Sequence, residues 1–198
     1  AELQLKEKDR EGPAKLLEGA LLRVKSPEDY RNPLLPLAEA RAIYEVAVMH
    51  YRTSAEFPLS VRVAKASAKI GEPGRDRTLI AETLEAWGEG LEKQATGDPE
   101  EAAKVKEAAQ RKYQEAAAEL ESLMKEKTSA ADRKVVGTDL ARVLTKAGEK
   151  DRAKKLLDEF QGTDTVVVPV PVPVVGEKDT DFLQKGESAL ATGDRIKA

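Results

Sequence analysis

Side chains that hold a metal, move a proton or attack a bond are scarce in this sequence. His50 is its sole histidine and it has no cysteine, which excludes disulfides, thiolate metal sites and cysteine nucleophiles. A metal at His50 would need carboxylates to complete its shell. Glu39, Glu45 and Glu56 fall at no ligand spacing that would supply them. His50 follows Val46 by one helical turn and Ile43 by two, so it reads as a half-buried polar residue beside an apolar stripe. Ser26, Ser54, Ser60, Ser67, Ser122, Ser129 and Ser188 all lack the context of a nucleophile elbow. Carboxylate pairs such as Glu82/Glu85 and Glu100/Glu101 read as solvated helix faces, whereas a glycosidase needs two held across a cleft. GEPGRDR at 71–77 lacks the lysine and the strand-to-helix setting of a phosphate loop. Neither an enzyme nor a cofactor is expected.

The composition agrees with a helical, non-catalytic reading. Of 198 residues, 35% are charged, 40% hydrophobic and only 4% aromatic, a mixture suited to thin, alanine-lined helix interfaces. The net charge is −3 with both signs interspersed. The basic run RKYQ at 111–114 contains Tyr113 but is flanked by glutamates, so no nucleic-acid partner is expected. No apolar run reaches membrane-spanning length. The missing cysteines and the start at Ala1 rather than Met favour an extracytoplasmic location, and the end at Ala198 suggests that more chain once followed.

Periodicity then places the elements. Pro13 suits a first helical turn, and Leu16, Leu17, Leu21 and Leu22 form the apolar side of that helix. SPEDYRNPLLP reads as a loop with one short helical turn. Leu37, Ala40, Tyr44, Ala47 and Tyr51 mark the next helix, and another follows Phe57-Pro58 and stops near Gly71. Ile80, Leu84, Trp87, Leu91 and Ala95 form the clearest stripe in the chain. Asp98 is a good N-cap with Pro99 behind it, opening one long helix to about Lys127 with Val105, Ala109, Ala116, Leu120 and Leu123 on one side. Val136, Leu140, Val143, Leu144 and Ala147 define a further helix, Gly148 ends it, and Ala153, Leu156, Leu157 and Phe160 define the next. Phe182, Ala189 and Leu190 mark a last one.

TDTVVVPVPVPVVG at 163–176 interrupts this pattern. In an extended chain Pro169, Pro171 and Pro173 point to one edge, which has lost its N–H donors; Val168, Val170, Val172 and Val174 point to the other and keep theirs. Such a segment pairs with one neighbour and resists a second. It is a stiff linker of about 31 Å over ten residues, or a one-sided strand that augments a sheet edge in another chain.

LARVLTKAGEKDRAKKLLDEF at 140–160 resembles the tetratricopeptide repeat family. Leu140 and Ala141 occupy its Leu-Gly positions, Leu144 its Tyr position, Ala153 the small and Leu157 the large second-helix positions. Gly90, Gly97 and Ala102 repeat part of this frame, as do Phe182, Gly186, Gly193 and Ala198, and more weakly SVRVAKASAKIGE. The turn glycines at 71, 97, 148 and 193 do not keep the family's period of about 34 residues. The resemblance implies antiparallel helical hairpins stacked as an array and a function in protein or peptide binding. The expected fold is therefore all-α: a repeat-like domain over 1–162, an extended Val/Pro segment over 163–178 and the start of a further helical module over 179–198. The expected function is a scaffold whose partners are proteins or peptides, copies of itself included. Val168, Val170, Val172, Val174, Tyr51 and Trp87 are the candidate partner-binding residues, although Tyr51 and Trp87 also lie on apolar stripes and suit core packing. The alternative is a structural subunit of a polymeric or envelope assembly joined through 165–175.

Overall fold

The computed structural model describes residues 11–161 except 73, 97 and 128; the Val/Pro segment and the module after it lie outside the described residues. Among the described residues the chain is all-helical, with seven α-helices, one 3-10 turn (Pro27–Asp29) and no strand. The helices are α1 (Glu11–Ala20), α2 (Leu37–Thr53), α3 (Phe57–Ser67), α4 (Arg75–Gln94), α5 (Pro99–Glu126), α6 (Ala130–Lys146) and α7 (Lys150–Gln161). From α2 onward each helix packs on the next in chain order. In addition α1 lies against α3, and α2 touches α4.

The ends of the helices follow local chemistry. The Asp98 carboxylate accepts the Glu101 N–H at 3.2 Å and caps α5, whose 28 residues give a rod of about 42 Å. Between α6 and α7, Gly148 takes φ 87°. The Gly148 N–H donates to the Thr145 carbonyl at 3.1 Å and the Glu149 N–H to the Leu144 carbonyl at 2.9 Å. That pair of bonds satisfies the last carbonyls of α6 while the chain reverses. The α2–α3 turn makes the same two bonds, from Ala55 to Arg52 (3.1 Å) and from Glu56 to Tyr51 (2.8 Å). There the left-handed position is held by an alanine at φ 59°.

The core runs through all seven helices, from Ala14, Leu17 and Leu21 to Ala141, Leu144 and Ala153. Leu16 and Leu22, expected on the apolar side of α1, are instead 70% and 76% exposed. One narrow contact cannot bury four leucines within about two helical turns, and only Leu17 and Leu21, one turn apart, are buried. Aromatic side chains enter the core opposite glycines. The Tyr113 ring of α5 lies against Gly88 of α4, where an added Cβ would sit 2.6 Å from the ring. Phe160 of α7 covers Gly137 of α6, where a Cβ would overlap the ring. Such contacts let the helix axes approach closely.

Candidate functional site

Alternate helices are tied by charged pairs. Arg52 of α2 reaches Glu82 of α4 at 3.4 Å, and Arg75 of α4 reaches Glu45 of α2 at 2.9 Å. Between α4 and α6, Glu85 accepts from Arg142 and, at 2.7 Å, from Lys146, which also holds Glu89. Arg152 of α7 pairs with Glu121 of α5, and Arg62 of α3 with Glu18 of α1 at 2.6 Å.

Glu85 is the buried member of this set. Burial alone would push its carboxyl up, but the hydrogen bonds and charges of Lys146 and Arg142 outweigh it and hold the group below its ordinary value. The Lys146 ammonium also lies 5.9 Å from the centre of the Tyr113 ring. The Tyr113 hydroxyl is buried, and burial first, then the nearby Glu92, Glu89 and Glu85, raise it well above the ordinary range. This cluster ties α4 to α6.

The openings lie elsewhere. A cavity of about 220 Å³ is lined by Ala38, Arg41, Ala42 and Glu45 of α2, by Ser67, Gly71 and Glu72 around the end of α3, and by Arg75 and Asp76 of α4. A second, of about 370 Å³, continues along the same two helices past Met49, Thr78, Leu79 and Glu82. Both share Glu45 and Arg75, so one groove follows α2 and α4 with an ion pair across its middle. Arg41 fixes its end by donating to the Ile70 carbonyl at 2.6 Å and the Gly71 carbonyl at 3.3 Å. Asp76 is raised to about 6: burial is the main cause, with Glu45 and Glu72 adding to it and Arg41 and Arg75 opposing it. A third opening, about 430 Å³, lies between α5 and α7 over Leu140 and Leu144 of α6, with Met124 and Leu156 on its sides.

Of the residues singled out from sequence, Tyr51 is 2% exposed and belongs to the core. Trp87 is half-buried against that core with the Lys112 ammonium 4.3 Å from its ring centre. Neither lines the α2–α4 groove. Val168, Val170, Val172 and Val174 lie outside the described residues. The groove residues themselves escaped the sequence reading, because Ala38, Ala42 and Leu79 carry no chemical signal until two helices separated by α3 are set side by side. Among the described residues no group of carboxylates and histidine could hold a metal ion, and no helix is long and apolar enough to cross a membrane.

No known family model, curated protein or solved structure matches this chain.

Proposed function

We propose that the chain is a non-enzymatic interaction scaffold, a tetratricopeptide-like array of helical hairpins that binds a peptide segment of a partner protein. The observation that carries this reading is the groove shared by α2 and α4, two helices separated in sequence by α3, with ion pairs bridging them and apolar side chains between. Alternate helices lying side by side are what stacking of hairpins produces. In this reading α2, α4 and α6 form one layer, and the Glu85 pairs with Arg142 and Lys146 extend it. Leu140, Ala141, Leu144 and Ala153 are all buried, as the repeat frame requires, while Leu157 is 37% exposed and faces outward.

Panning a displayed peptide library against the full chain tests the proposal. Enriched peptides should lose at least about tenfold in affinity on Met49→Glu, a charge placed in the apolar part of the groove. Peptides that bind this variant as well as the wild type, or a library that yields none, would overturn it.

A second reading rests on the one-sided donor edge of VVVPVPVPVV. There the chain is an assembly subunit, and Val170→Pro together with Val172→Pro abolishes its oligomers while leaving helix content intact.

A further inference from the structure

The outer side of α2 carries a strip that nothing in the described fold covers. Glu39, Ile43, Val46 and His50 follow one another at steps of four, three and four, which keeps them on one helical face. All four are exposed, Val46 at 69% and Ile43 at 38%. The flank is distinct from the groove: Arg41, Glu45 and Arg52 turn toward α3 and α4, and Tyr44, Val48 and Tyr51 turn into the core. Among the described residues neither Glu39 nor His50 forms an ion pair.

The order of the four side chains is self-complementary. An acid stands at the N-terminal end, an imidazole at the C-terminal end, and two branched apolar residues lie between them. A twofold axis crossing the helix midway between Ile43 and Val46 would set Ile43 against the partner's Val46 and Glu39 against the partner's His50. Each contact occurs twice, as an isologous interface requires. A parallel arrangement would face Glu39 with Glu39 and is disfavoured by like charge.

We propose that a second copy of this chain docks on this strip, pairing α2 antiparallel with α2 through Ile43 and Val46 at the centre and Glu39 with His50 at both ends. The imidazole N–H donates to the carboxylate, and the charge of a protonated ring strengthens the contact. This goes beyond the scaffold reading, since the groove binds its peptide with or without self-association.

Sedimentation velocity of the full chain over a dilution series tests it, with circular dichroism to show that each variant keeps its helices. The wild type should dimerise reversibly. Val46→Glu should weaken the dimer at least about tenfold, because it buries a charge at the centre of the contact. Glu39→Lys and His50→Glu should each weaken it, and the double variant, which exchanges the charges, should restore it. A chain monomeric throughout the series would overturn the proposal, as would a dimer indifferent to Val46→Glu or a double variant no better than the singles. So would a dimer lost only on Val170→Pro with Val172→Pro. Peptide binding is followed through Met49, so the scaffold reading and the dimer can each fail alone.

Discussion

The hairpin formed by α2 and α3 and the one formed by α6 and α7 close with the same two backbone bonds, yet they are built differently. In α6–α7 the reversal falls on Gly148, and a second glycine, Gly137, leaves room for the Phe160 ring against the facing helix. In α2–α3 the reversal falls on Ala55 at φ 59°, and the contact between helices includes a polar bond from the Ser60 hydroxyl to the Val48 carbonyl at 2.8 Å. The ties to α4 differ in the same sense. The second hairpin is tied through buried Glu85, the first through exposed Glu82 and half-buried Glu45. The α6–α7 hairpin turns on a glycine; the α2–α3 hairpin keeps a left-handed alanine at its turn, a groove on one flank and, among the described residues, an uncovered strip on the other.

The largest difference should appear at Gly137. Two methyl groups added there have no space, because even a Cβ would overlap Phe160. Gly137→Val should lower stability by about 3 kcal/mol, the upper part of the usual range for overpacking. Gly19→Val is the control: nothing lies within 4 Å of its Cβ position, and a change within about 0.5 kcal/mol is expected. Denaturant melts of the two variants give both values. Equal stabilities would show that Phe160 moves aside freely and that the α6–α7 contact is not close-packed.

Next in size is the tie to α4. Glu85→Gln removes charge-assisted bonds to Arg142 and Lys146, both of which retain partial access to water, so the loss should be about 2 kcal/mol. Glu82→Gln, in an exposed pair with Arg52, should change stability by less than about 1 kcal/mol. The pH dependence carries a sign. Because the Glu85 carboxyl is held below its ordinary value of 4.5, its contribution is complete above that pH. It is lost as pH falls through the lowered value. The gap between wild type and Glu85→Gln should therefore be full at neutral pH and close in acid. A gap that persists unchanged in acid would show that the amide disrupts packing rather than an ion pair.

These two regions were not equally legible in the sequence. Gly148 announces its turn, since glycine adopts the left-handed region without strain, and Asp98-Pro99 announces the start of α5. Ala55 announces nothing, because alanine is the strongest helix former and its conformation is imposed by the packing of α2 on α3. Tyr113 was masked by its neighbours: read as part of a charged run, it is fully buried four residues after Ala109 and three before Ala116. Lys112 beside it turns to cover Trp87. On α1, leucine spacing alone did not reveal which pair faces the core. The groove was beyond reach for a different reason, since its residues become neighbours only when α2 and α4 pack across α3.

The smallest expected effect reaches the turn itself. If Ala55 stores the strain of a left-handed residue, Ala55→Gly should relieve it and raise stability by up to about 1 kcal/mol, even though glycine gains entropy in the unfolded chain. Gly148→Ala imposes the same strain on the other hairpin and should lower stability by about 1 kcal/mol. The sum of the two changes separates turn from context: equal and opposite shifts mean that both hairpins treat the left-handed residue alike. A neutral Ala55→Gly beside a harmful Gly148→Ala would mean that the α2–α3 hairpin relaxes around its alanine and stores no strain there. Thermal melts at neutral pH resolve shifts of this size, because 1 kcal/mol moves the midpoint of a domain of this length by roughly 2–4 °C.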